Sequence, residues 1–470
     1  MKKFLPLVFA VMILFSEGKA HPWKPDHYVV IDTDCGLDDF RTLRMMLESD
    51  NIRILAITTS HGVLRADEGY DKVKDLLQTT FHKGIMVGLN QGGNWKDSGC
   101  EAARKFWWGQ HEAPQTKEQK DYTEVLNRVF QHHQGKITFI NLGSLTTVVN
   151  YFSEYPEQQS KIKEVLWTSN YNHPARDFNH MLDPEAYSSL QRLELPVTIL
   201  HQEILDTYPG EWLEQLKNTE TRSSRHILSS LEIPGSSFAR NLYDEITFLY
   251  LLRPDLFSQE IQDNILHLEL NSPAESLKPV MDSIFSGTKV NTQAFLDFPT
   301  APGDYLEDIQ QIMPETIRQW GEDEWATCVL TCEIHRHVGV YTLIGAKMGV
   351  RAREYFGAGM DELHIVSHAG LEPPFSCLND GLQVSTGATL GHGLISVKEE
   401  TKDPRAEFCY LGQKITITLK EEYKTEVASK IKELSYIYGL DSNIYWDRVR
   451  DLALSIWREW DRHKIFQIEK

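Results

Sequence analysis

Apolar positions in the first half of the chain fall into short β-branched runs, separated by amphipathic stretches. Residues 28–32, 52–58, 85–88, 137–142, 165–168 and 195–200 read as strands. Residues 38–48, 68–81, 122–133 and 144–152 carry the helical period, the first with Phe40, Leu43 and Leu47 on one face. Strands alternating with helices predict an α/β fold, a mostly parallel doubly wound sheet covered on both faces. Ligands of such sheets sit at the carboxyl ends of the strands.

The pattern changes at Phe298-Pro299-Thr300-Ala301-Pro302-Gly303, where two prolines and a glycine interrupt the periodicity. Downstream, helical patterns over 304–355 and 421–465 enclose strand-like 364–367 and 414–419, which predicts a smaller α+β domain over 304–470. At the other end, residues 1–20 combine Lys2-Lys3, an apolar run from Phe4 to Phe15, and Gly18 and Ala20 at small-residue cleavage positions. This is the pattern of a secretory signal peptide, and about 12 apolar residues are too few to span a bilayer. The expectation is an exported protein, periplasmic or extracellular, with no membrane anchor after cleavage and a first domain over 21–300.

The length of 470 residues suits two domains. A formal charge of −19 repels phosphate backbones and argues against a nucleic-acid partner. Six cysteines are too sparse for a disulfide framework in a chain this long. Homo-oligomerisation stays open.

The first predicted strand runs into Ile31-Asp32-Thr33-Asp34-Cys35-Gly36-Leu37-Asp38-Asp39, a dense group of carboxylates. Crowded carboxylates repel one another, and a hard cation with several oxygen ligands relieves that repulsion. Asp32 and Asp34 leave a strand on the same side, while Asp38 and Asp39 open a helix whose dipole favours anions. Gly36 is expected to permit the sharp turn between them. Asp34 and Asp39 then converge on one cation. An EF-hand is excluded, because no Gly holds its sixth position and no Glu closes it. A phosphotransferase of the aspartyl-phosphate type also begins with Asp-x-Asp after a strand, so this segment alone leaves two enzymatic readings.

Further segments decide between them. Ala56-Ile57-Thr58-Thr59-Ser60-His61-Gly62, Leu142-Gly143-Ser144-Leu145-Thr146, Asp177-Phe178-Asn179 with Asp183-Pro184-Glu185-Ala186, and Tyr243-Asp244 before an apolar helix follow in order. Together with the opening motif they resemble the calcium-dependent nucleoside hydrolases, the inosine-uridine-preferring N-ribohydrolase family, over roughly residues 26–300. The resemblance implies that Asp34, Asp39, Asp244 and the backbone carbonyl of Leu142 ligate Ca2+. It implies that Asp34 is general base toward a metal-activated water attacking the sugar C1′, and that Asp38, Asn172, Asp177 and Asn179 hold the ribose, with Asn170 the alternative to Asn172. Asp32 would orient its neighbours. Three positions depart from the family. Val63 replaces an Asn, Asp177 replaces a Glu, and Tyr243 replaces the His associated with activating the leaving base. A Tyr hydroxyl, with an ordinary pKa of about 10, donates a hydrogen bond but is a reluctant acid. Trp167 and Trp107-Trp108 invite a stacking role, with core packing the simpler reading. His61 is a further candidate acid, with an ordinary loop histidine the simpler reading.

In the second domain, Cys332-Glu333-Ile334-His335-Arg336-His337 precedes Cys377-Leu378-Asn379-Asp380-Gly381-Leu382-Gln383 and Thr386-Gly387-Ala388-Thr389-Leu390-Gly391. These segments resemble the FmdE family over roughly 320–420, with Gly339 and Ala388 standing where that family carries Cys. The resemblance implies a site of His335, His337 and Cys377 for Zn2+ or another transition metal.

The combined expectation is an exported, calcium-dependent N-glycosyl hydrolase of a ribonucleoside or related small riboside, fused to an FmdE-like domain. The alternative is a ribosyl-ligand or metal-binding sensor with little or no turnover.

Overall fold

The computed structural model describes residues 24–93, 95–109, 119–169, 177–201, 208–219, 221–233, 242–262, 265–271, 292 and 294–470. The signal-like segment and Asn172 lie outside them.

Eight strands form the first sheet: β1 (His27–Thr33), β2 (Ile52–Thr59), β3 (Met86–Leu89), β4 (Ile137–Asn141), β5 (Ile162–Thr168), β6 (Val197–His201), β7 (Phe257–Gln262) and β8 (Ile265–Leu270). Their order is β3-β2-β1-β4-β5-β6-β8-β7. Every neighbouring pair is parallel except β7–β8, which closes the edge antiparallel. β1 shows why its sequence is continuously apolar. Val29 and Ile31 enter one core with Phe40, Leu43 and Phe248, and Val30 enters the opposite core with Phe139, Val148 and Phe152. The chain steps from β1 through β2 to β3 on one side, then returns to place β4 on the other side of β1. That reversal opens a crevice beyond the carboxyl ends of β1 and β4, where doubly wound sheets bind ligands.

The second domain packs the helices Glu307–Trp320, Glu322–His335, Val340–Phe356, Leu378–Thr386, Glu421–Tyr438 and Asn443–Glu459 with a five-stranded sheet. Its strands are β9 (His364–Ser367), β10 (Ile395–Val397), β11 (Arg405–Tyr410), β12 (Gln413–Leu419) and β13 (Phe466–Glu469), in the order β10-β9-β11-β12-β13. Only the β9–β10 pair is parallel among the described strands of this sheet. Lys347 is wholly buried against Glu324 at 2.5 Å, and Arg462 completes the neutralisation of Glu324 at 3.0 Å.

The two domains meet through specific polar contacts. Glu362 accepts from the Tyr28 hydroxyl at 3.0 Å and pairs with Arg53 Nε at 3.1 Å. Gly84 N–H donates to the Tyr355 carbonyl at 2.7 Å, and Gln413 Nε2 donates to the Gly84 carbonyl at 2.9 Å. The Phe81 and His463 rings stack with centroids 3.6 Å apart. Among the described residues no helix is long and apolar enough to cross a membrane.

Candidate active site

β1 delivers Asp32 and Thr33 to the crevice, and the chain turns immediately into the helix Leu37–Leu47. The turn is made at Cys35, which takes the left-handed conformation with φ 66°. Gly36 does not supply it, contrary to the expectation from sequence, since its own φ is −67°. Glycine is needed there for space: a Cβ on Gly36 would lie 2.4 Å from Asp38 Oδ1 and 2.9 Å from Asp39 Oδ2. Gly36 N–H instead donates to Asp39 Oδ2 at 3.0 Å. Thr33 Oγ1 donates to Asp39 Oδ1 and accepts from Cys35 N–H at 3.1 Å.

Asp39, Asp38 and Asp244 present carboxylate oxygens that all lie within 4.8 Å of one another. Asp244 arrives from a distant part of the chain, just ahead of the apolar helix Glu245–Leu252, and its Oδ1 accepts from Thr168 Oγ1 at the end of β5 at 2.7 Å. Asp34 borders this group but is not one of its three members. Its Oδ2 accepts from Val63 N–H at 3.1 Å, so the backbone at position 63 serves it whatever side chain stands there. Two glycines leave room for it. A Cβ on Gly62 would fall 2.0 Å from Asp34 Oδ2, and one on Gly143 would fall 3.0 Å from Asp34 Cβ.

Burial first, and the mutual repulsion of these carboxylates second, set the electrostatics. Both effects push Asp34 and Asp244 well above the usual carboxylate range. Asp38 is raised to about 7 by burial and then by Asp39, with Arg41 pulling the other way. Asp32 is fully buried and raised to about 7 by burial, while the hydroxyls of Thr58 (2.6 Å) and Ser60 (2.7 Å) hold it down in part and fix its orientation. Four carboxylates, Asp34, Asp38, Asp39 and Asp244, repel one another here, Arg41 offsets this only in part at Asp38, and oxygen-rich, anionic surroundings suit a hard divalent ion. The donor set therefore fits a metal.

Other expected site residues fall nearby. Leu142 is held by its N–H to the Asp32 carbonyl at 3.0 Å, and its own carbonyl accepts from Asn179 Nδ2 at 2.8 Å. Asn179 also donates to the Thr168 carbonyl at 3.1 Å, so it ties the ends of β4 and β5 together. Asp177 caps the short helix Phe178–Leu182, accepting from His180 N–H at 3.0 Å and from Ser169 Oγ. Asp183 caps the next helix and accepts from Thr146 Oγ1 at 2.6 Å. Tyr243, beside Asp244, is 41% exposed, and its backbone N–H donates to Glu245 Oε2 at 2.8 Å. Trp167 is buried and donates to the Gly143 carbonyl at 3.0 Å, and Trp108 packs on Phe40, so both belong to the core. His61 accepts from Ala66 N–H at 3.2 Å and steadies the helix Ala66–Thr79.

The sequence reading missed a buried layer beneath the carboxylates. Arg41 pairs with Glu245, each 1% exposed, and Tyr208 donates to Glu245 Oε1 at 3.0 Å. This triad joins the helix carrying Asp38 and Asp39 to the helix that follows Asp244. A signal was present: Arg41 and Arg44 interrupt the apolar face of an otherwise amphipathic helix.

In the second domain, Arg336 adopts a left-handed φ of 67° and ends the helix Glu322–His335. The reversal brings the His335 and His337 rings to 4.3 Å. His335 Nδ1 lies 2.7 Å from Asp380 Oδ2, and its buried Nε2 has no hydrogen-bond partner. Asp380 and then Cys377 raise the His335 pKa to about 9. Position 339 faces both rings, since a Cβ there would lie 3.2 Å from His335 Cδ2 and from His337 Nε2. A side chain in place of Gly339 would have reached this site. Among the described residues His335, His337 and Cys377 do not form a close triad of the kind made by Asp38, Asp39 and Asp244.

A parallel α/β sheet with a buried carboxylate cluster in its switch-point crevice defines a metal-fitted ligand-binding protein of the doubly wound class. The sequence model of the inosine-uridine preferring nucleoside hydrolases matches residues 29–303, and that of FmdE, the molybdenum formylmethanofuran dehydrogenase operon protein, matches 334–448. The chain belongs to the inosine-uridine preferring nucleoside hydrolase family, whose members are N-glycosyl hydrolases of small nucleosides and commonly bind a metal, and it carries an FmdE region at its C-terminal end. It is 23% identical over 269 residues to the pyrimidine-specific ribonucleoside hydrolase RihA of Shewanella woodyi, covering 49% of this chain and 81% of the relative. It is 21% identical over 253 residues to uridine nucleosidase 1 of Arabidopsis thaliana, covering 49% and 75%. An inosine-uridine preferring nucleoside hydrolase structure from Bacillus anthracis aligns with 14% identity and a TM-score of 0.47, over 55% of this chain and 99% of that one.

Proposed function

We propose that this protein is an exported, calcium-dependent hydrolase of the N-glycosidic bond in a ribonucleoside or related riboside. The observation that carries the proposal is the meeting of Asp38, Asp39 and Asp244, with Asp34 alongside, in one buried crevice. Asp34, Asp39, Asp244 and the Leu142 carbonyl would hold the cation, with Asp38 at its edge. When bound, the ion neutralises the cluster and makes a neighbouring water more acidic. Asp34, clamped by Val63 N–H, accepts a proton from the water that attacks C1′. Asp38, Asp177, Asn172 and Asn179 hold ribose hydroxyls, and the surrounding carboxylates favour the positive charge of an oxocarbenium-like transition state. Tyr243, partly exposed beside Asp244, donates a hydrogen bond to the leaving base, which alters base preference relative to a His.

In the second domain, His335, His337 and Cys377 would hold Zn2+ or another transition metal. The unpartnered Nε2 of His335 supports this, and so does the Asp380 carboxylate on its other nitrogen, an arrangement that orients metal-binding imidazoles. Residues 1–20 act as a cleaved signal.

The test is ribose release from a panel of nucleosides by the purified chain in calcium and in chelator. Release that disappears in chelator and returns with calcium is expected. Ligand-induced stabilisation with no sugar released would overturn the hydrolase assignment and identify a ribosyl-binding protein.

A further inference from the structure

The helix Glu421–Tyr438 packs on the second domain through one stripe, Tyr423, Val427, Ile431 and Leu434, and Val427 alone of its residues is fully buried. Beyond Leu434 the helix leads into a four-residue turn, 439–442, and the chain returns as the helix Asn443–Glu459. The tip of this hairpin exposes Tyr436, Ile437, Tyr438, Leu440, Ile444 and Trp446, with Tyr436 92% accessible. Six of the eighteen large apolar side chains exposed among the described residues thus fall in eleven consecutive positions. Nearby charges pair within the hairpin, Lys430 with Glu426 and Arg448 with Asp451, each at 2.7 Å, so they do not call for a charged partner.

A recess of about 500 Å³ opens on the same domain, walled by Leu330, Ile334 and Val384, with Glu333, Asp380, Gln383 and Thr389 as its polar lining. Leu330 and Ile334 are exposed, and so is Leu390 beside them, whose N–H donates to Gln383 Oε1 at 3.1 Å. Projection and recess adjoin one pair of histidines. Asp380 of the recess meets His335 Nδ1 at 2.7 Å, the His335 and His337 rings are 4.3 Å apart, and the Trp446 ring of the hairpin lies 6.3 Å from that of His337. Both features therefore belong to one end of the domain. At about 150–250 Å² for an aromatic and about 100 Å² for an aliphatic side chain, these nine exposed residues present roughly 700 Å² of apolar surface. The largest such patch on a typical monomer is about 300–600 Å².

We propose that this end of the second domain is a homodimer interface, in which each copy seats its hairpin tip in the recess of the other. A second copy is the occupant that the surface itself specifies. It brings both an apolar projection and an apolar recess, and a two-fold axis joins the two pairs at once and closes the assembly. The area agrees, since a stable interface takes about 800 Å² from each partner. The apolar centre with Glu333, Asp380, Gln383 and Thr389 beside it matches the core and polar rim of such contacts. A charge of −19 on each copy opposes contact elsewhere, so association is confined to a face where apolar burial outweighs the repulsion. The inference is independent of the hydrolase assignment and of any metal at His335.

The test is sedentation equilibrium of the purified full chain across a concentration series, with light scattering as a second reading of mass. A dimer with a Kd at or below about 10 µM is expected. Leu440→Asp, on the projection, and Leu390→Asp, beside the recess, each occur twice in a two-fold dimer and should each weaken it by at least about 100-fold. Both side chains are exposed, so circular dichroism should show each variant folded as a monomer. A wild-type chain that stays monomeric at about 100 µM overturns the proposal. So does a dimer that tolerates either substitution, because projection and recess must then not meet. Phosphatidylcholine vesicles are the remaining probe. A monomer that binds them, and loses that binding in Leu440→Asp, makes lipid the occupant and overturns the dimer.

Discussion

Replacing Asp244 by Asn separates the electrostatic cost of the carboxylate cluster from its capacity to bind metal. Asp244 is 3% exposed and shares a space of 4.8 Å with Asp38 and Asp39. The amide keeps the shape and the oxygen that accepts from Thr168, while its nitrogen can donate to Asp39 instead of repelling it. At an effective dielectric constant of about 20, two unit charges at that separation repel by about 3.5 kcal/mol. Partial protonation already relieves some of this at neutral pH, which leaves about 2 kcal/mol as the working figure. In chelator, Asp244→Asn should therefore raise the unfolding midpoint of the first domain by roughly 4–8 °C. Calcium at about 100 times its Kd should stabilise the wild type by about 2.7 kcal/mol and the variant by little, because a charged ligand is gone. The order of stability thus reverses between chelator and calcium. Tryptophan fluorescence during thermal unfolding of the full chain reads both conditions. A variant less stable than wild type in chelator, or one that responds to calcium equally, would refute the reasoning.

Other expectations follow from the same geometry. In chelator, the raised carboxylates make the folded state bind more protons than the unfolded state, so their stabilising contribution is complete below about pH 4 and is lost as pH rises through the folded value of about 7 for Asp38. Calcium stabilisation has the opposite slope, and a calcium-induced shift that does not grow between about pH 5 and 8 contradicts this. Asp34→Ala should lower ribose release by about 1,000-fold while the protein stays folded, and a near-normal rate would remove Asp34 from the chemistry. Arg41→Met strands a buried Glu245 and should cost about 3–5 kcal/mol in chemical denaturation, with a second change, Glu245→Gln, recovering part of it. A loss below about 1 kcal/mol would show that the triad is not a structural tie.

Much of this protein was legible from local pattern. The central strands were visible because residues buried on both faces must be apolar throughout, as at Val29, Val30 and Ile31. β7 was not, since its edge position leaves all but Phe257 exposed and its sequence reads as polar loop. β8, with buried His267 and partly buried Glu269, carries polar residues that hide its period. The carboxylates Asp34, Asp38 and Asp39 announced themselves by crowding, a property of one short segment. The turn between them was assigned to Gly36 because glycine is the usual bearer of a left-handed φ, yet Cys35 bears it and Gly36 is required by the approach of Asp38 and Asp39.

Sequence alone determined the α/β class, the family and the inventory of carboxylates, because each depends on periodicity or on neighbours along the chain. Only the tertiary structure decided that Asp38, with Asp34 alongside, completes the close group with Asp39 and Asp244, and that Arg41, Glu245 and Tyr208 tie the layer beneath. Those facts depend on distances between groups far apart in the chain. Burial and proximity act through space, and no residue type carries that information by itself.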